Sequence, residues 1–163
     1  MVAKPERQLG NREARASAAG GGAPLRAVID TNLLVGALVR PGGASDRILK
    51  QWRAGVFKHV ASEATLREAE SVVGSRWVGR LGGRRERDAL LAELRAESIV
   101  VDAPILAALT LKDAGDRRLV GAAHAGRARY LVTADREVLL AWGHGGVEFL
   151  TAGEFLRALE RSA

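Results

Sequence analysis

The sequence predicts an α/β protein in which a mainly parallel sheet of about five strands lies between two layers of helices. Short apolar runs, each the length of a buried strand, alternate with longer stretches whose apolar residues recur at helical spacing. Such alternation favours parallel strands that are covered on both faces. The 163 residues, of which 47% are hydrophobic, suit one domain with its own core.

The first 24 residues are predicted to form a flexible N-terminal extension. They contain the run Ala-Ser-Ala-Ala-Gly-Gly-Gly-Ala-Pro, which is small and aperiodic. The pattern changes at Leu25, where an apolar run begins. We therefore divide the chain into an extension at residues 1–24 and a folded domain at residues 25–163.

The first half of this domain is predicted to contain two strands and three helices. The short apolar run that ends at Asp30 is typical of a buried strand, and the helical stretch after it is broken at Pro41. Ser45 and Ser62 are suited to cap the next two helices, because a serine oxygen accepts a bond from a free helix N–H. The predicted order is strand 25–30, a helix broken at 41, a helix from 45 to 55, strand 56–61 and a helix after 62.

The second half continues the alternation with three strands and five helices. Leu90 and Leu94 recur at helical spacing, and Thr151 is suited to cap the last helix. Asp116 is expected to cap the helix that follows a turn at 113–116. The predicted order is helix 85–98, strand 99–101, helix 104–111, helix 116–126, strand 129–133, a short helix after 135, strand 146–150 and a helix after 151.

Three acidic residues are predicted to meet at one edge of the sheet. Asp30 directly follows the first strand and Asp135 follows the fourth, and the carboxyl ends of parallel strands lie at the same edge. Asp116 begins a helix that runs back toward the fourth strand, so that end of the helix lies there too. Each acid could instead be an ordinary helix cap. Their concurrence favours a site, because gathered carboxylates repel one another unless a cation lies between them.

A fourth acid, Glu68, is placed less directly. It lies in the helix that leaves the second strand, about six residues or ~9 Å from the edge along the helix axis. Glu63 is nearer to the edge, and Glu68 could be a solvated residue, as Glu70 is expected to be. Its spacing therefore leaves both interpretations open.

Carboxylate oxygens are the ligands that Mg²⁺ and Mn²⁺ prefer, and such a metal would activate a water and stabilise charge on a phosphate. Asn32 and Thr133 are candidates to orient a carboxylate, water or phosphate oxygen, although helix-start and strand-end chemistry would equally explain them. Arg117, Arg118 and Arg136 flank the acids and could hold neighbouring phosphates. The pattern therefore predicts metal-dependent phosphodiester chemistry.

The balance of charge also favours a polyanionic partner. Lys and Arg number 25 against 19 Asp and Glu, for a net charge of +6. A bias toward arginine in the genome would explain this excess equally well. A second basic region is either a solvated face or a nucleic-acid track. It contains Arg76, Arg80, Arg84, Arg85 and Arg87.

Several other classes of protein are disfavoured. The chain has no cysteine, which excludes disulfides, thiol catalysis and cysteine-based zinc sites. Its three histidines lack zinc spacing, and neither a Gly-Lys-Ser/Thr phosphate loop nor a Gly-x-Ser-x-Gly motif is present. Aromatic residues make up 4%, too few for a base-stacking platform. No apolar run approaches the ~20 residues of a membrane span, and we expect a cytoplasmic protein.

Four motifs, read together, resemble those of the PIN-domain ribonucleases. They are Val-Ile-Asp30-Thr-Asn32, Leu66-x-Glu68, Asp113-x-x-Asp116 and Leu131-Val-Thr133-x-Asp135. The resemblance runs from about residue 25 to the end and is greatest to the branch described as toxins of bacterial toxin–antitoxin systems. Residues 1–24 have no counterpart in the family pattern.

This resemblance implies a Rossmann-like sheet and a Mg²⁺- or Mn²⁺-dependent site that cleaves single-stranded RNA. It assigns that site to Asp30, Glu68, Asp116 and Asp135. It also implies a small antitoxin that blocks the site, and frequent homodimers.

Two other functions stay open on the sequence. A phosphate-handling protein of the receiver or haloacid-dehalogenase type would phosphorylate an aspartate after the first strand, although the latter needs Asp-x-Asp and position 32 is Asn. A non-catalytic module would instead bind RNA or a partner without turnover.

Overall fold

The computed structural model describes residues 22–81, 83–103 and 111–163. Within them, six strands form one sheet: β1 Arg26–Ile29, β2 Lys58–Ser62, β3 Ile99–Val101, β4 Tyr130–Val132, β5 Gly143–His144 and β6 Val147–Leu150. The same residues form the helices α1 Thr31–Val39, α2 Ala44–Arg53, α3 Glu63–Val73, α4 Arg76–Gly79, α5 Arg84–Glu97, α6 Ala114–Ala125, α7 Arg136–Ala141 and α8 Ala152–Ser162.

The predicted parallel sheet is confirmed. The strand order is β3-β2-β1-β4-β6-β5, and neighbouring strands are parallel except for β5 and β6. The antiparallel strand β5 was not predicted, because two residues are too few for a periodic signal. Gly145 and Gly146, with φ of +54° and +88°, join it to β6 in the left-handed conformation that a two-residue hairpin loop requires.

Helices cover both faces of the sheet, which explains why the strands are continuously apolar. Ile29 points into a core that is shared with α1, α2, α3, α5 and α8. The preceding residue, Val28, points into a second core that is shared with α6 and α7. Tyr130 and Leu131 divide in the same way between the two cores. Successive side chains of a strand point to opposite faces, so residues 27–29 of β1 and all three residues of β4 are buried.

Helix starts were predicted with mixed success. Ser62 is confirmed as the cap of α3, because it forms a reciprocal capping box with Thr65. The prediction for Ser45 was wrong: α2 begins at Ala44, and Gly43 is its N-cap without a side-chain bond. The short helix α4 was not predicted, although Ser75 caps it.

Two predicted segments fall partly outside the described residues. The extension at 1–24 is described only from residue 22, so the boundary between extension and domain stays a prediction. The helix expected at 104–111 is described only at Leu111, which belongs to no helix. No helix in the described part of the chain has the length and apolarity needed to cross a membrane.

Candidate active site

The candidate site lies where the neighbouring strands β1 and β4 end. Ile29 is opposite Val132, and the N–H of Asp30 donates to the Val132 carbonyl over 2.9 Å. From β1 the chain continues to β2 on one side of the sheet, whereas β4 continues toward β6 on the other. Sites of open parallel sheets form at such a divergence, beyond the carboxyl ends of the strands.

Asp30 is buried, and the protein holds both of its carboxylate oxygens. The hydroxyl of Thr133 donates to Oδ2 over 2.7 Å, and the backbone N–H of Asn32 donates to Oδ1 over 3.2 Å. Asp30 is thus the N-cap of α1 as well as part of the strand edge. Asn32 contacts Asp30 through its backbone, and the orienting role suggested for its side chain stays a prediction.

The helix cap expected at Asp116 belongs instead to Asp113. The Oδ1 atom of Asp113 accepts bonds from the N–H groups of Gly115 and Asp116 at 2.7 and 3.1 Å, which begins α6. The prediction that Asp116 caps this helix was therefore wrong. The Asp116 carboxyl therefore does not cap this helix.

The Asp116 carboxyl is buried among other acids. Its Oδ2 atom is enclosed and has no hydrogen-bond partner in the described part of the chain. Burial, which is the largest cause, and nearby carboxylates together raise the pKa of Asp116 to about 6. Those carboxylates belong to Asp135, Asp113, Asp30 and Glu137. A buried anion without a donor is costly unless a cation supplies the missing interaction.

Glu68 reaches the same cluster from α3. A Cβ atom added to Gly115 would lie 3.6 Å from Glu68 Oε1 and 2.9 Å from Asp113 Oδ1, so the two carboxylates approach the start of α6. Partial burial and then the Asp30 charge raise the pKa of Glu68, while Arg118 opposes that shift. The sequence left the position of Glu68 open, and the structure brings it near enough to Asp30 for the two charges to interact.

Asp135 both caps a helix and belongs to the cluster. Its Oδ1 atom accepts bonds from the N–H groups of Glu137 and Val138 at 2.8 and 3.4 Å, which begins α7. The Thr133 hydroxyl accepts a bond from the Asp135 N–H over 3.0 Å while it donates to Asp30. Thr133 is fully buried and so links the two strand-end acids through one hydroxyl group.

We call these residues the acid cluster: Asp30, Glu68, Asp113, Asp116, Asp135 and Glu137. The charges of Asp30 and Asp113 raise the pKa of both Glu68 and Asp116, and Asp135 also raises the pKa of Asp116. They do not converge on one point as they stand. Across residues 22–81, 83–103 and 111–163, no three His, Asp or Glu side chains are arranged to hold a metal ion. The unpartnered oxygen of Asp116 and an all-carboxylate donor set nevertheless fit a hard divalent cation.

Two members of the acid cluster had been given other roles on the sequence. Asp113 was expected only to form a turn, and Glu137, two residues after Asp135, was not among the predicted ligands. Glu137 accepts a bond from the Lys112 N–H over 3.1 Å and raises the pKa of Asp116. Asp113 precedes Asp116 by three residues and Glu137 follows Asp135 by two, and this nearness to predicted ligands was the signal that the sequence offered.

The three flanking arginines differ in their surroundings. Arg117 donates to the carbonyls of Leu111 and Lys112 at 2.7 and 3.1 Å, and so braces the segment before α6. Arg118 is exposed and close enough to Glu68 to affect its pKa. Arg136 is exposed in the first turn of α7. Phosphate contacts by all three stay predictions.

Two histidines meet away from the acid cluster. The Nε2 atom of His124 lies 2.7 Å from the Nδ1 atom of His144, and their rings contact edge to face. His124 lies in the last turn of α6, eight residues or about 12 Å along the helix axis from Asp116. This pair therefore does not contribute to the acid cluster.

Comparisons with known proteins agree with this fold. The crystal structure of PAE2754 from Pyrobaculum aerophilum is similar, with a TM-score of 0.56 and 18% sequence identity, over 88% of this chain and 95% of that one. No curated protein gives a significant match to the sequence. The family model described as "PIN domain" matches residues 26–137. Because that match spans more than half of the 163 residues, the chain belongs to the PIN-domain family, which indicates a hydrolase of the nuclease type.

Proposed function

We propose that this protein is a Mg²⁺- or Mn²⁺-dependent endoribonuclease that cleaves single-stranded RNA in the cytoplasm. The observation that carries the proposal is the environment of the Asp116 carboxyl. Its carboxyl is buried, has an oxygen without a donor and lies among other carboxylates, at the strand edge where α/β proteins bind ligands. A bound cation would relieve this repulsion, and the PIN-domain assignment supports nuclease chemistry at that position.

The proposed roles divide between ligands and positioning groups. Asp30, Glu68, Asp116 and Asp135 would hold the metal. Such a metal, when bound, activates a water and stabilises charge on the scissile phosphate. Thr133 fixes the Asp30 carboxylate and the backbone of Asp135. Asp113 fixes the start of α6 and so the position of Asp116.

The direct test is cleavage of single-stranded RNA by the full chain with Mn²⁺, with Mg²⁺ and with a chelator. We expect chelation to abolish cleavage. We expect Asp30→Asn and Asp116→Asn each to lower its rate at least about 100-fold, because each removes a charge on which the metal depends. The wild-type protein should regain activity when the metal is restored.

Glu97→Gln is a matched control, because Glu97 is an exposed helical acid outside the acid cluster. It should cleave RNA at the wild-type rate. Undiminished cleavage by both aspartate variants, or cleavage that persists in chelator, would contradict the proposed site.

The proposal extends to a toxin–antitoxin role. It includes a small antitoxin that blocks the acid cluster, and a homodimer of this chain. These partners are inferred from the motif resemblance. Expression in a bacterial host should arrest growth for the wild-type protein and not for Asp116→Asn. Growth should recover when the product of the neighbouring reading frame is co-expressed, and normal growth with active wild-type enzyme would argue against a toxin.

A non-catalytic binding module is the second candidate, because the acids do not converge on one point. Calorimetric binding of Mn²⁺ or RNA without cleavage of many RNAs would favour it. A phospho-receiver is less consistent with the site, since both oxygens of Asp30 already accept hydrogen bonds.

A further inference from the structure

The helix α4 and the start of α5 carry an exposed surface that the acid cluster does not use. Trp77 is 63% exposed and Leu81 is 49% exposed, whereas a large apolar side chain is ordinarily covered. Exposed arginines surround them in sequence: Arg76, Arg80, Arg84 and Arg85. We call these six residues the Trp77 patch. An indole ring flanked in sequence by arginines offers a stacking face and positive charge to a partner.

The arginines of the Trp77 patch are weakly neutralised by the protein itself. Arg84 is paired with Asp88 at 3.7 Å, an exposed contact that contributes little. Arg76, Arg80 and Arg85 form no ion pair with another residue in the described ranges. The patch therefore presents net positive charge to a partner.

Arg87 does not belong to this surface. Its guanidinium donates to the Val73 carbonyl over 3.4 Å and would lie 3.2 Å from a Cβ atom added to Gly79. It therefore joins the end of α3 to α4 and holds the patch in place. The basic region seen in the sequence thus separates into one structural arginine and four exposed ones.

The patch is connected to the acid cluster through buried contacts. Val78 of α4 packs with Val35 of α1 and Val73 of α3. The helix α1 begins at its cap Asp30, and Glu68 precedes Val73 by five residues, or about 7.5 Å along α3. The helix that carries Trp77 therefore follows the far end of α3, whose middle carries Glu68, and it packs through Val78 against the middle of α1, whose cap is Asp30.

The surface of α3 between the two sites carries little negative charge. Toward α4, Glu68 is followed on the same side of α3 by Ser71, and Ser75 lies just beyond the end of the helix as the cap of α4. The other acids of this helix, Glu63 and Glu70, are paired with Arg95 at 2.9 and 2.7 Å. A polyanion that leaves the acid cluster along this line meets small polar groups before it reaches the patch.

We propose that the Trp77 patch binds the single-stranded RNA substrate beside the cleavage site, with Trp77 stacked on a base and Arg76 and Arg80 on phosphates. The inference rests on the proposed nuclease function and names a substrate contact for it. Arginine forks match phosphate geometry, and an indole ring stacks on any base. The low aromatic content excludes a platform of several rings but leaves room for one.

An acidic protein segment is the alternative occupant, and the chemistry favours RNA. Only Trp77 and Leu81 are apolar in the patch, and they are surrounded by charge. A peptide helix would need a continuous apolar groove, whereas a nucleotide needs one ring and neighbouring cations.

The test measures binding separately from cleavage. Fluorescence anisotropy of a labelled single-stranded RNA of about 12 nucleotides, a length within the usual site sizes, is recorded with the full chain in chelator at several salt concentrations. We expect Trp77→Ala to weaken binding about tenfold or more, and Trp77→Phe to retain most of it. Arg76→Ala/Arg80→Ala should lower the slope of log affinity against log salt by about 1.4, as for two lost phosphate contacts.

The matched control is Arg157→Ala/Arg161→Ala, which removes two exposed arginines from α8. It should leave the salt slope within error of the wild type. Circular dichroism should show that every variant is folded, since all the altered side chains are exposed.

Wild-type affinity and salt slope in the Trp77 and Arg76/Arg80 variants would overturn the inference, as would failure of the wild-type chain to bind single-stranded RNA. Displacement of RNA from the patch by a poly-glutamate peptide of higher affinity would also overturn it, in favour of a protein partner. These results are distinct from failure of the proposed function. A chain that binds RNA through the patch but never cleaves it would support the inference and contradict the nuclease.

Discussion

The surroundings of Asp116 oppose its negative charge. Burial is the largest cause, and the neighbouring carboxylate of Asp135 is the next, so that the pKa is raised to about 6. Natural sites keep such unfavourable charges where a ligand relieves them, at some expense of stability. The negative charge of Asp116, which the proposed metal site needs, should therefore lower the stability of the folded protein.

We expect the conflict at Asp116 to depend on pH. The folded-state pKa lies above that of the unfolded chain, so the folded protein binds this proton more tightly and loses stability as pH rises through about 6. Asp116→Asn should therefore raise the Tm by a few degrees at pH 7.5 and leave it nearly unchanged below pH 4. Differential scanning calorimetry across this range measures the effect.

Manganese provides an independent readout of the same residue. Added Mn²⁺ should raise the Tm of the wild-type protein, because a ligand that binds only the folded state stabilises it. It should raise the Tm of Asp116→Asn much less, and Glu97→Gln should respond as the wild type does. A Tm of Asp116→Asn below that of the wild type at pH 7.5 would contradict the unfavourable charge inferred here.

At the scale of elements, the start of α6 positions the site. Asp113 accepts two backbone N–H groups, which places Asp116 in the first turn of the helix with its carboxyl buried. Gly115 lies between them, where an added Cβ atom would be only 2.9 Å from Asp113 Oδ1. The helix start is thus shaped around a group of carboxylates.

Two substitutions at Asp113 separate its cap from its charge. Asp113→Ala should lower the free energy of unfolding by about 1 kcal/mol, because the cap is lost. Asp113→Asn should keep most of that stability, since asparagine caps as well as aspartate. Asp113→Asn should also lower the pKa of Asp116, because one nearby negative charge is removed.

Urea denaturation measures the change in the free energy of unfolding for both substitutions, and NMR titration of the Asp116 carboxyl measures the change in its pKa. Equal destabilisation by Ala and Asn would show that the charge, rather than the cap, contributes the stability.

At the scale of the whole molecule, one buried hydroxyl joins two distant parts of the chain. Thr133 and Asp30 are 103 positions apart in sequence, yet their side chains are 2.7 Å apart. The contact exists because β1 and β4 are adjacent, although two strands and six described helices lie between them along the chain. The pairing of β1 with β4 therefore brings the two strand-end acids of the candidate site together.

Thr133→Val tests that connection. It keeps the side-chain shape and leaves Asp30 Oδ2 and the Asp135 N–H without their partner, so we expect a loss of about 1–3 kcal/mol in the free energy of unfolding. RNA cleavage should fall about tenfold or more, because the carboxylate of Asp30 is no longer fixed. Thr133→Ser keeps the hydroxyl and should restore most of the activity, and a valine variant as active as the wild type would exclude a positioning role.

Local patterns predicted much of this fold. Continuous apolar runs identified the five longer strands, because both faces of a parallel strand are buried. Ser62 and Thr151 were recognised as caps from residue type, since a hydroxyl beside a helix start has one common use. Local patterns failed in two places. The strand β5 has only two residues, too few to show a period, and Asp113 and Asp116 are equally good helix caps by residue type, so the sequence did not distinguish them.

The sequence by itself determined the succession of the five longer strands and most of the helices along the chain, and it placed Asp30 and Asp135 at one edge, because parallel strands share their carboxyl ends. Only the tertiary structure decided that β1 and β4 are neighbours, that Asp116 is enclosed without a donor, and that Glu68 approaches Asp30. It also divided the arginines between a structural Arg87 and an exposed patch. Burial and charge coupling depend on contacts between residues far apart in the chain, which local periodicity does not encode.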